Sequence, residues 1–252
     1  WDVSAVVNMS RMFRYAVSFN QPIGSWKTTQ LTNIELMFSG AEVFNQPIDD
    51  FDVRNVTNMT QLFDDAKAFN QPLNSWNVSK VTTMDAMFSC AYSFNQPLDQ
   101  WDVSRVSTMC AMFQLTPFNQ PIGHWNVSRV RDMGAMFYAA ERFNQPVGQW
   151  DVSSVVSMMN MFCEASVFNQ PINQWDVSRV IDLQGLLCTS RAFNQQVRDW
   201  DFSSARDVHF LMGETKACQQ FVSQWHFPVE AEWTNTIFSA APAARSYEYH
   251  FL

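Results

Sequence analysis

A chain of 252 residues, 47% of them apolar, is long enough to bury a core. Its formal net charge of −8 argues against nucleic acid as a partner, because phosphate binding needs clustered Lys and Arg. No apolar run approaches the roughly 18 residues of a membrane span, so no transmembrane segment is expected.

From the first residue, the chain repeats. Trp1, Trp26, Phe51, Trp76, Trp101, Trp125, Trp150, Trp175, Trp200 and Trp225 form a column with a step of 25 residues, and one step of 24 between Trp101 and Trp125. The shortened step falls in Gln114-Leu115-Thr116-Pro117. Phe-Asn-Gln-Pro keeps the same register from Phe19 to Phe168, then decays to Phe193-Asn194-Gln195-Gln196. A self-match at fixed period signals stacked repeats rather than one globular core.

Within the repeat that opens at Trp101, the alternation Trp101-Asp102-Val103 predicts a short strand. Val106, Met109, Met112 and Phe113 are spaced three, three and one, which predicts about two turns of helix with one buried side. The preceding Ser104, with Ser4, Ser79, Ser128, Ser153, Ser178 and Ser203 in its column, reads as an N-cap. Phe-Asn-Gln-Pro makes the return, its proline stopping the helix and its amides serving backbone groups where the chain bends. Gly24, Asp49, Asn74, Asp99, Gly123, Gly148 and Asn173 tolerate positive φ and mark a tight turn into the strand. The expected fold is an α/β single-chain solenoid, leucine-rich-repeat-like, with short parallel strands on one face and short helices on the other. About nine repeats fill residues 1–225. Residues 226–252 read as an irregular capping segment, helical over 233–241, followed by an aromatic tail.

The string Trp-Asp-Val-Ser-x-Val-x-x-Met-x-x-Met-Phe-x-x-Ala-x-x-Phe-Asn-Gln-Pro resembles the BspA-like, leucine-rich-repeat-related surface proteins. The likeness covers roughly residues 1–225. Lys27-Thr28-Thr29, Leu186-Leu187 and Leu211-Met212 depart from the pattern. The resemblance implies a solenoid used for adhesion or partner binding, at the cell surface or secreted, and implies no reaction.

The candidate binding residues form an outward stripe. Asp52, Asp102, Asp151 and Asp176 follow the Trp column, and Lys80, Arg105, Arg129 and Arg179 follow the cap serine. Asn77 and Asn126 replace Asp in the first column, an exchange that keeps an acceptor and loses a charge. That favours a local hydrogen bond, such as an Asx turn onto the following Ser, over a calcium site. Cys163 and Cys188 each lie thirteen residues after their Trp, so they are expected as vertical neighbours. Two readings stay open: a disulfide between turns, or two small buried residues. No cofactor, metal or catalytic residue is expected, because the four histidines share no column and no nucleophile–base pattern is visible.

These features point to a non-enzymatic repeat scaffold that binds a protein or glycan at a surface. The alternative is a structural or linker subunit packed in a larger assembly, membrane-associated or organellar, with docking through the tail 247–252.

Overall fold

The computed structural model describes residues 1–215, 225, 228 and 236–239. The expected tail 247–252 and most of the capping segment lie outside these residues.

Successive 25-residue units lie on one another as coils. Each touches the next through one isolated parallel bridge, in the series Asn8↔Asn33↔Asn58↔Thr83↔Thr108↔Asp132↔Ser157↔Asp182↔Asp207. The α/β arrangement with strands on one face and helices on the other does not form. The described residues contain no helix, and no strand beyond these bridges.

The coil that opens at Trp76 shows what replaces the helix. Met87 donates its N–H to the Met84 carbonyl (3.2 Å), Ser89 to Ala86 (3.1 Å) and Ala91 to Phe88 (3.0 Å), a run of tight turns. The intervening donors leave the coil: Met84 bonds Thr108 O (3.1 Å), Ala86 bonds Cys110 O (2.7 Å), Phe88 bonds Met112 O (3.0 Å) and Cys90 bonds Gln114 O (2.9 Å). A helix would send every one of these donors four residues back. Here alternate donors run along the stack, and the chain turns sharply to allow it. Ala86 (φ 50°) and Cys90 (φ 55°) are both left-handed.

The same two positions are left-handed in coil after coil. They run from Arg11 (φ 60°) and Tyr15 (φ 57°) to Phe210 (φ 56°) and Glu214 (φ 57°), and only Gly40 and Gly185 are glycine. A left-handed residue with a side chain costs about 1–2 kcal/mol, so each site is held against its own preference. Burial and the inter-coil bonds, worth about 0.5–1.5 kcal/mol each, offset that cost. The apolar spacing of three, three and one reports which side chains point inward, and these turns point Val81, Met84, Met87 and Phe88 inward as a helix would. All four are fully buried. The glycines before the Trp column are not left-handed: positive φ among glycines occurs only at Gly40 and Gly185. Gly24 instead lies close to the next coil, where an added Cβ would sit 2.7 Å from the Pro47 carbonyl oxygen.

The interior is a set of columns. Phe88 stacks on Phe63 (5.6 Å between ring centres) and on Phe113 (5.7 Å). Within the coil it lies face to face with Phe94, at 3.9 Å. The indole N–H of Trp101 donates to Leu73 O, 28 residues back (2.9 Å), which satisfies a buried donor. The Phe-Asn-Gln-Pro motif builds a second ladder. Asn95 N–H donates to Asn70 Oδ1 (2.9 Å), and Gln96 Nε2 donates to Asn70 O (3.0 Å).

Irregular repeats keep the register by local substitutions. In the 24-residue coil, Thr116 Oγ1 donates to Phe113 O (2.8 Å) and accepts from Phe118 N–H (3.4 Å), so Phe118 stays in its column. Thr28 occupies the valine position of the second coil, and its hydroxyl accepts from Asp52 N–H (2.7 Å). Trp225 is buried and its indole donates to Val197 O (3.3 Å). Beyond it, residues 236–239 form a turn where the sequence predicts helix. Ile237 is fully buried and accepts from Met212 N–H (2.9 Å), so Ile237-Phe238 stands where earlier coils carry Met-Phe.

Candidate binding face

Each coil has a corner built by Asp-Val-Ser-x-Val. Val106 N–H closes the turn onto Val103 O (2.9 Å), with both valines buried. Ser104 and Arg105 form the tip. Ser104 is no helix cap. Its N–H donates to Asp102 Oδ1 (3.0 Å), an Asx turn that fixes the approach to the corner. The Asp151–Ser153 and Asp176–Ser178 pairs repeat the bond, both at 3.1 Å. Asn77–Ser79 and Asn126–Ser128 make it at 3.2 Å with a neutral amide. An acceptor is the common requirement, which is why Asp and Asn exchange here.

The charge has local consequences. The Ser104 hydroxyl and backbone N–H hold the Asp102 carboxyl below its ordinary range, and Arg105 adds to this. Ser178 does the same for Asp176, with Arg179 adding less. Asp52 differs: it accepts from the Arg54 backbone N–H (3.2 Å) and pairs with Arg54 Nε at 2.8 Å.

All eight stripe residues lie along this corner. Asp52 is half-buried and the other seven are exposed. Lys80 reaches one coil back, donating to Asn55 Oδ1 (2.8 Å). Arg105, Arg129 and Arg179 form no ion pair among the described residues. Arg131 and Arg206 lie two residues beyond the corner tips of their coils. They are likewise exposed and form no ion pair there.

Sequence reasoning missed an acidic row beside the stripe. Asp132, Asp182 and Asp207 occupy the bridge positions, with Glu35 and Asp85 two residues further along their coils; all are half-buried. Asp85 Oδ1 accepts from Thr108 Oγ1 (2.5 Å) and Cys110 N–H (2.9 Å). Burial nevertheless pushes its carboxyl up, and does the same at Asp182. Nothing in the Trp or Phe-Asn-Gln-Pro landmarks marks this column, since Asn, Thr, Ser and Asp alternate in it. Among the described residues no group of three or more His, Cys, Asp or Glu side chains converges as a metal site.

Cys163 and Cys188 are stacked neighbours, buried and hydrogen-bonded to each other through their thiols. No disulfide joins them in this structure. The contact with Cys188 and burial hold the Cys163 thiol well above its ordinary range. Cys110 joins them in a small apolar cluster with Ala111, Ala135 and Tyr138, where burial pushes its thiol up to about 12.

The model of the family described as "Mycoplasma protein of unknown function, DUF285" matches residues 1–72, 37–145, 114–225 and 143–246. The chain belongs to this family. The overlapping DUF285 matches tile the stack of coils, as expected where one motif recurs at every turn. No curated protein matches the chain. Among solved structures, an internalin from Listeria monocytogenes aligns over 85% of this chain and 78% of its own, at 7% identity and a TM-score of 0.16. That overlap is too slight to carry an argument about fold or function. No helix among the described residues is long and apolar enough to cross a membrane.

Proposed function

We propose that this DUF285 chain is a non-enzymatic repeat scaffold, of the adhesion type at a cell surface, that binds a protein or glycan partner along its corner stripe. One observation carries the reading. The conspicuous repeated residues are consumed in building the stack, while each corner presents a tip held by a buried turn. Arg105 and Arg129 stand exposed on such tips in successive coils. A row of outward side chains on a rigid frame is how repeat proteins commonly present a binding surface. The resemblance of the repeat string to BspA-like surface proteins supports the surface setting.

The test is a binding screen of the purified chain against immobilised polysaccharides and cell-surface proteins. It uses the parent, the corner variant Arg105→Glu/Arg129→Glu/Arg179→Glu, and the control Arg142→Glu/Arg191→Glu away from the corner. Binding lost only in the corner variant supports the proposal. Binding that survives in the corner variant, or no binding to any partner, overturns it.

A further inference from the structure

We infer that the partner of the corner stripe is a linear acidic polysaccharide; this rests on the binding-scaffold reading above and names its ligand class. The argument begins with which charges are available. Lys80, Arg105, Arg129, Arg131, Arg179 and Arg206 lie on or beside the corner in the fourth, fifth, sixth, eighth and ninth coils, all exposed. The five arginines form no ion pair among the described residues. The neighbouring carboxylates accept local hydrogen bonds and form no ion pair with these arginines. Asp102 and Asp176 accept from the Ser104 and Ser178 N–H groups, and Asp85 is held by Thr108 and Cys110. The five arginines are therefore cations whose donors remain available, while Lys80 already donates to Asn55 Oδ1. Guanidinium suits carboxylate and sulfate oxygens, which it binds with two parallel hydrogen bonds.

Spacing narrows the class. Paired parallel strands lie about 4.8 Å apart, so cations on consecutive coils recur at about that interval along the stack axis. That is comparable to the length of one pyranose unit in an extended chain. An extended polypeptide advances about 3.4 Å per residue, so its acidic side chains fall out of step with the ridge. Strand addition is not available on this face either, because the bridge column is paired on both sides in the interior coils. Neutral sugars are commonly gripped by exposed aromatic rings. None of the exposed aromatics among the described residues, Trp1, Tyr15 and Tyr92, occupies a corner tip, and Val7 and Val156 are exposed two residues beyond the tips of their coils. Between the fourth and ninth coils only the seventh, with Ser154 and Val156, interrupts the cations; the first three coils carry none at these two positions.

The experiment measures binding of the full chain to four probes: heparin, polygalacturonate, poly-glutamate and a neutral glucan. Each is run with the parent, the corner variant and the off-corner control, at several salt concentrations. Heparin and polygalacturonate are expected to bind the parent, with affinity falling as salt rises. Loss of three exposed ionic contacts in the corner variant is expected to weaken binding roughly ten- to hundredfold, leaving the control unchanged. Circular dichroism of the variants reports that they fold. Poly-glutamate binding as tightly as the acidic glycans overturns the carbohydrate assignment. Binding only to the neutral glucan, or to a protein in the wider screen, through the same corner overturns this inference and leaves the scaffold reading standing. Glycan binding indifferent to the corner variant overturns both.

Discussion

The backbone N–H of Asn95 donates to the side-chain Oδ1 of Asn70, 2.9 Å away and one coil back. The same oxygen accepts from Gln96 Nε2 at 3.2 Å. One amide thus serves two donors of the neighbouring coil, and Asn70 N–H passes to Asn45 Oδ1 in the same way (2.9 Å). The ladder supplies the return segment with the cross-coil bonds that a proline-containing stretch does not make for itself.

Asn70→Ala therefore leaves the Asn95 N–H without its acceptor, while Gln96 Nε2 keeps the Asn70 backbone carbonyl and the flanking coils stay in place. The expected loss is about 1–3 kcal/mol, read from the midpoint of urea unfolding. A midpoint unchanged within error would show that solvent serves this donor equally well.

The left-handed sites give predictions of opposite sign. Thr189 is β-branched at φ 55°, a conformation such residues rarely adopt. Thr189→Gly is expected to raise stability by roughly 1 kcal/mol. Gly40 lies at φ 70°, and a Cβ there would sit 2.5 Å from the Tyr15 ring. Gly40→Val is expected to lower the melting temperature clearly. If both substitutions move stability in one direction, the backbone assignment at these columns is wrong.

Phe113 is fully buried between Phe88, Phe137 and Phe118. Phe113→Ala is expected to cost about 3–5 kcal/mol. Because each coil contacts only its neighbours, the damage should be local. Hydrogen exchange should quicken first in the fourth to sixth coils, and uniform quickening along the chain would contradict nearest-neighbour coupling.

The two kinds of carboxylate predict opposite pH behaviour. Burial raises the Asp85 pKa in the folded chain, so its ionised form is disfavoured there and opposes folding at neutral pH. That penalty fades as pH falls through the folded pKa. Asp85→Asn should thus stabilise at pH 7, and its advantage in melting temperature should shrink towards about pH 4. The Asp102 pKa is lowered, so its contribution is present above the unfolded value of 3.8 and is lost as pH falls through the folded pKa. Asp102→Asn keeps the acceptor for Ser104, and its deficit should appear at neutral pH and vanish in acid. Melting curves of both variants from about pH 3 to 7 decide the two signs.

The columns are legible in the amino-acid sequence itself. Trp, Met and Phe at fixed offsets go to a common interior because burial depends on side-chain type and period, and both are written in the chain. Asp and Asn exchange after each Trp because the Asx turn needs an acceptor, which the sequence also shows. The backbone path is decided only by the stack. Ala86 and Cys90 carry no local sign of a left-handed conformation. They adopt it because N–H groups at alternate positions find carbonyls in the next coil, an outcome that depends on the neighbour's presence. The acidic row at Asp85, Asp132 and Asp182 likewise exists only once the coils are superposed. Periodicity fixes which side chains face inward, whereas the hydrogen bonds between coils join residues about 25 positions apart, and no local window of sequence contains both partners.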